Sequence, residues 1–131
     1  MGLYPSQFEV NEAWIVFQLN DAPLVTEKDG NFNVFALMDA ASCYILGAEF
    51  VPVESAELSQ LETRRLLKGG QFKTQRFPKK LLLPADQPAE ILSMEARRHG
   101  IDVVRVADEQ LQAFIGEARH GLREHLQNKG A

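Results

Sequence analysis

Asp39-Ala-Ala-Ser-Cys-Tyr-Ile-Leu-Gly47 and Phe77-Pro-Lys-Lys-Leu-Leu-Leu-Pro-Ala-Asp86 decide the reading of this chain. Each puts an acid at the end of an apolar strand. After Asp39 the chain turns straight back as a second strand, because the connection Asp39-Ala-Ala-Ser42 is short enough only for an antiparallel hairpin. After Asp86 it enters a helix opened by Pro88.

Working outward, residues 13–19 (Ala-Trp-Ile-Val-Phe-Gln-Leu) form an apolar, β-branched and aromatic run, hence a buried strand. Residues 1–12 read as an irregular lead-in. Asn20-Asp-Ala-Pro23 and Lys28-Asp-Gly-Asn31 are turn clusters flanking a short edge strand at residues 24–27. Residues 32–38 and 43–51 are the hairpin strands. Ser55 is expected to cap a helix over residues 56–68, stopped by Gly69-Gly70. A three-leucine strand follows at residues 80–84, then a helix from Pro88 to Arg98 and a strand over residues 101–106. Asp108 caps the last helix, where Leu111, Phe114, Ile115, Ala118, Leu122 and Leu126 fall at offsets 0, 3, 4, 7, 11 and 15, a single apolar stripe. Hairpins first and alternating strand and helix afterwards predict an α/β fold. Its mixed sheet is antiparallel at one side and parallel at the other, with helices on its faces.

This order resembles the ribonuclease-H-like superfamily, and more narrowly the catalytic core of retroviral-type integrases and transposases. Asp39, Ser42, Ile45 and Gly47 match the family's hairpin, Pro78, Leu81 and Asp86 its fourth strand, and Gly100-Ile101 the entry to the fifth. The chain is also similar to small bacterial domains of the same plan. The likeness covers residues 13–127 and implies one domain over residues 13–131. In active members, strand-end carboxylates hold catalytic metals. Here the first-strand acid is missing: the nearest residues are Gln18 and Asn20, with Asp21 in the turn behind them. An amide carbonyl ligates Mg²⁺ without neutralising it. Two-metal chemistry needs acids converging on ions about 4 Å apart. The expectation is therefore a degenerate, non-catalytic binding or regulatory module with neither metal nor cofactor. The alternative is a divalent-metal nuclease or strand-transfer enzyme using Asp39, Asp86 and Glu109 or Glu117. Asp86, Asp39 and Glu109 also have plainer roles: Asp86 as a helix cap, Asp39 as a turn residue, and Glu109, with Asp108, as a helix-start charge.

Composition narrows the partners. The 131 residues make one domain with 45% hydrophobic and 24% charged residues. No secretory leader, myristoylation context or membrane span is read. Cys43, the one cysteine, fits a buried apolar role in a reducing cytoplasm. His99, His120 and His125 make no ligand spacing, and Trp14 is a core aromatic. The net charge of −4 hides an asymmetry. Residues 64–80 carry seven bases (Arg64, Arg65, Lys68, Lys73, Arg76, Lys79, Lys80) and no acid, while the rest of the chain balances at −11. Phe72 and Phe77 interleave with these charges, as in segments that stack bases while pairing phosphates. The acidic remainder disfavours nucleic acid, leaving a protein partner or a second copy as the expected company.

Overall fold

The computed structural model describes residues 2–28 and 30–130, with side chains described as far as His125. Asp29 of the second turn cluster and the side chain of Leu126, last in the apolar stripe, lie outside this set. Among the described residues six strands, β1 (Ala13–Gln18), β2 (Leu24–Val25), β3 (Asn31–Asp39), β4 (Ile45–Pro52), β5 (Lys80–Pro84) and β6 (Asp102–Val106), make one sheet. Three α-helices of the same set, α1 (Gln60–Thr74), α2 (Glu90–Arg98) and α3 (Asp108–Gly130), lie between and after them.

The sheet is mixed, as the order of elements predicts. β3 pairs antiparallel with β1, β2 and β4, and β1–β5–β6 is parallel. Phe32 faces Leu24 on one side and Pro52 on the other, so β2 continues the line of β1 along β3. β1 is central and buried on both faces. That explains its unbroken apolar run, since both faces of a central strand must be covered. Trp14 and Val16 join the core beneath α1 and α2; Ala13, Ile15 and Phe17 join the core beneath α3. The α3 stripe supplies Leu111, Phe114 and Ile115 to that second core, with Ala118 at its margin. The lead-in packs there too: Phe8 meets the Phe114 ring edge-on at 6.0 Å.

The first helix differs from its expected limits. Ser59, not Ser55, caps it: Ser59 Oγ accepts from the Glu62 amide and Glu62 Oε1 from the Ser59 amide. Only Ser59 has a glutamate three residues on, and that reciprocal pair satisfies two amides together. Nor does Gly69-Gly70 stop the helix, which runs to Thr74 and ends at Gln75 in the left-handed region (φ 72°). Gly70 serves packing instead. A Cβ there would lie 2.7 Å from Leu37 Cδ2 and 2.8 Å from Trp14 Cη2, so only glycine lets the helix approach the sheet this closely. The hairpin return begins at Ile45, later than Cys43, because Cys43 (φ 59°) makes the turn.

Candidate functional site

The parallel strands β1, β5 and β6 end together, and a cleft opens there. It is lined by Gln18, Phe35, Ala56, Pro84, Asp86, Gln87, Pro88, Asp108 and Arg119. Asp86 is exposed in the turn after β5, and Asp108 starts α3. They are the two carboxylates of the cleft.

The other groups there are already engaged. Arg119 Nε and Nη2 donate to the Gln18 carbonyl at 3.1 and 2.9 Å. The same guanidinium lies 5.8 Å from the Phe17 ring centroid and, more loosely, 3.8 Å from Asp108. Its side chain is only 16% exposed. Gln18 Nε2 donates to the Asn20 carbonyl. Asn20, buried, donates to Ala22 O and Asn33 Oδ1 and accepts the Val34 amide, fastening the end of β1 to β3. Arg105 Nη1 donates to the carbonyls of Pro84 and Gln87, closing the end of β5 in the same way. Beyond the cleft, Arg123 pairs with Asp21 and holds that carboxyl below its ordinary range, chiefly through the hydrogen bond.

The remaining acids lie elsewhere. Trp14 pairs with both Asp39 and Leu81, so Asp39 sits level with the start of β5, while Asp86 lies past its end. That separates the two acids by at least about 10 Å of strand. Asp39 is buried and committed to structure: Oδ1 accepts the Asn11 amide at 2.7 Å, and Oδ2 accepts Ser42 N and Oγ at 2.9 and 2.7 Å. Its turn bond reaches three residues on. Glu109 and Glu117 are exposed on α3. Among the described residues no three His, Cys, Asp or Glu side chains are grouped to hold a metal ion. Asp86 is not the cap of α2, because the N-cap is Ala89, three residues later; Glu57 Oε2 takes the Ile91 amide instead.

The basic segment is divided. Arg64 pairs with Glu95, Arg65 with Glu49, and Lys73 Nζ donates to the Leu46 carbonyl. Lys68, Arg76, Lys79 and Lys80 are exposed. The Phe77 ring meets Trp14 edge-on at 6.2 Å and stacks on His99 at 4.5 Å. All three histidines are exposed, and His120 pairs with Glu124. Burial, followed by the charges of Asp39 and Glu117, pushes the Cys43 thiol up, away from nucleophilic form.

Two residues with central roles escape a reading of the sequence. Asn11, buried and left-handed (φ 65°), accepts from Trp14 Nε1 at 2.6 Å and donates to the Arg76 carbonyl while its amide binds Asp39. Arg119 has no local signal either, since the carbonyl it binds lies 101 residues away. An Asn two residues before a strand and an Arg beside a helical apolar stripe are both ordinary.

Sheet order, the hairpin and the strand-end cleft define a ribonuclease-H-like fold, of the variety found in retroviral integrase catalytic cores. Solved structures make this specific. The chain is similar to the simian T-cell lymphotropic virus intasome in complex with PP2A regulatory subunit B56 gamma. There the identity is 11%, the TM-score 0.60 and the cover 91% of this chain but 40% of that one. It is similar to the HTLV-2 integrase catalytic core domain in complex with magnesium, in its dimeric form, with 14% identity, TM-score 0.58 and cover of 98% and 74%. It is also similar to the BIV integrase catalytic core domain, with 14% identity, TM-score 0.56 and cover of 90% and 70%. At these identities the likeness is one of fold. No family model and no curated protein sequence matches the chain.

The magnesium that this fold implies does not suit the cleft. Two acids line the cleft, one of them beside a guanidinium, and the strand-end carbonyl of Gln18 already accepts twice from Arg119. A dication would meet a fixed positive charge where it needs a third carboxylate.

Proposed function

We propose that this chain is a non-catalytic binding or regulatory module on a ribonuclease-H-like scaffold. The observation that carries the reading is Arg119. Its guanidinium binds the Gln18 carbonyl at the end of β1, where the resemblance implies a carboxylate and a metal. A guanidinium is a standing positive charge in a protein, here held against the end of the sheet. It ties α3 to the sheet and satisfies a strand-end carbonyl, a structural use of the same corner. The acids of the enzyme alternative support the same view, since Asp39 is spent on the hairpin turn and Glu109 and Glu117 face solvent. We infer a cytoplasmic setting from the single unpaired Cys43; no helix among the described residues is long and apolar enough to cross a membrane.

Calorimetric titration with Mg²⁺ and Mn²⁺ tests this. The expected result is no site tighter than millimolar, unchanged in Asp86→Asn. A micromolar site abolished by Asp86→Asn overturns the reading and restores the nuclease or strand-transfer alternative. The double variant Gln18→Asp, Arg119→Leu is expected to gain metal affinity, because it adds the missing acid and removes the resident cation.

A further inference from the structure

Much of the basic segment is helix, and its outer face has a pattern. Leu61, Arg65, Lys68 and Phe72 of α1 follow one another at steps of four, three and four, which puts them on one seam. The seam faces solvent: Leu61 is 64% and Phe72 82% exposed, the Arg65 side chain is 56% exposed, and Lys68 is exposed. The opposite face of the helix, with Thr63, Leu66, Leu67 and Gly70, is buried against the sheet. Leu61 and Phe72 stand about 16 Å apart, eleven residues at 1.5 Å each. Between them are two cations. Beside the seam, Gly69 has nothing within 4 Å of where a Cβ would stand, so the surface there is low and open.

We propose that this seam docks an acidic amphipathic helix of a partner protein, with apolar side chains on Leu61 and Phe72 and carboxylates opposite Arg65 and Lys68. The proposal rests on the binding-module reading and names the partner's chemistry. Apolar residues at such spacing are how a helix reads another helix. Charge decides between occupants. A second copy, packed antiparallel about a two-fold axis at the seam's centre, sets Leu61 against Phe72 and Arg65 against Lys68 of its mate. Four cations then meet in one contact, and like charges opposed across an interface reject a partner. Arg65 is partly neutralised by Glu49, but Lys68 has no ion pair among the described residues. Nucleic acid would use the cations and stack a base on Phe72, but would leave Leu61 unused. A lipid surface needs a broader apolar face than two residues.

The test uses the full chain and two fluorescein-labelled four-heptad peptides. Both carry leucine at the outer seam positions; one has glutamate at the two central positions, the other lysine. Fluorescence anisotropy is expected to give saturable micromolar binding of the glutamate peptide and none of the lysine peptide. Phe72→Ala is expected to weaken it about tenfold or more, as for an exposed aromatic anchor. Lys68→Glu is expected to switch preference to the lysine peptide, an exchange that a misfolded variant cannot produce. Equal binding of both peptides, or binding of neither, overturns the proposal. So does a dimer in sedimentation equilibrium that Phe72→Ala dissociates, which makes the occupant a second copy. Tighter binding of oligothymidylate or phosphatidylserine vesicles than of the glutamate peptide also overturns it. None of these outcomes bears on the metal titration, so the module reading stands or falls separately.

Discussion

Replacing Gly70 with alanine puts one methyl group into a close helix–sheet contact. In an exposed helix, glycine to alanine stabilises by about 1 kcal/mol. At Gly70 the new carbon would lie 2.7 Å from Leu37 Cδ2 and 2.8 Å from Trp14 Cη2, where carbon atoms prefer about 3.5–4.0 Å. Roughly 1 Å must be found. Neither neighbour yields easily: both are fully buried, and the indole is fixed by its bond to Asn11. Overpacking of this kind costs about 1–3 kcal/mol, so the propensity gain is cancelled or exceeded. Gly69 is the control, one residue away in the same helix with open space around it. Gly69→Ala is expected to stabilise by about 0.5–1 kcal/mol and Gly70→Ala to destabilise by about 1–2 kcal/mol. Urea unfolding followed by circular dichroism at 222 nm measures both. At about 4 °C per kcal/mol the melting temperatures separate clearly. A Gly70→Ala protein as stable as the parent, or more so, would refute the packing argument.

Three further outcomes are expected. Phe114 is 2% exposed and sits against Phe8, so Phe114→Ala costs about 3–5 kcal/mol in the same unfolding assay; a loss under 1 kcal/mol counts against α3 as the cover of that core. Thr63 Oγ1 is buried without a hydrogen-bond partner among the described residues, so Thr63→Val is expected to be neutral or to stabilise by about 1 kcal/mol; a clear loss of stability would show that the hydroxyl is bonded. The raised Cys43 thiol makes native alkylation by iodoacetamide slower than in urea, with its rate rising at higher pH than for the unfolded chain. By linkage, stability from this group is full below the unfolded thiol's pKa and declines as pH climbs through the raised native value. Equal rates in native and unfolded protein contradict the shift.

The fold was legible because its signals are local and periodic. β1 reads as buried from its unbroken apolar run, and the α3 stripe gives that helix its inner face. Errors arose where two local signals competed. Ser55 and Ser59 both stand where a helix could start, and the glutamate at position 62 decides between them. Gly69-Gly70 has the composition of a stop, yet one glycine answers to Trp14 and Leu37, which are distant in sequence. The departure from the resemblance was legible: Gln18 and Asn20 stand where that resemblance implies an acid. What fills that corner was not legible, because Arg119 acts across 101 residues; nor, at the other end of β1, was Asn11, which acts across 28 and 65.

β1 also stands between two timescales of assembly. On one side it pairs antiparallel with β3 across a connection that holds only β2; on the other, Trp14 pairs with Leu81, more than sixty residues downstream. Chain-closure entropy grows with loop length, and parallel pairing of distant strands is slow. The β1–β3–β4 meander is therefore placed to form first, with β5, β6 and α1 joining it. The chain's single tryptophan lies on the strand they share, against Phe77 on the one hand and the Gly70 turn of α1 on the other. Its indole is dry only once the parallel half arrives, so in a refolding experiment Trp14 keeps time for the late step and is silent about the early one.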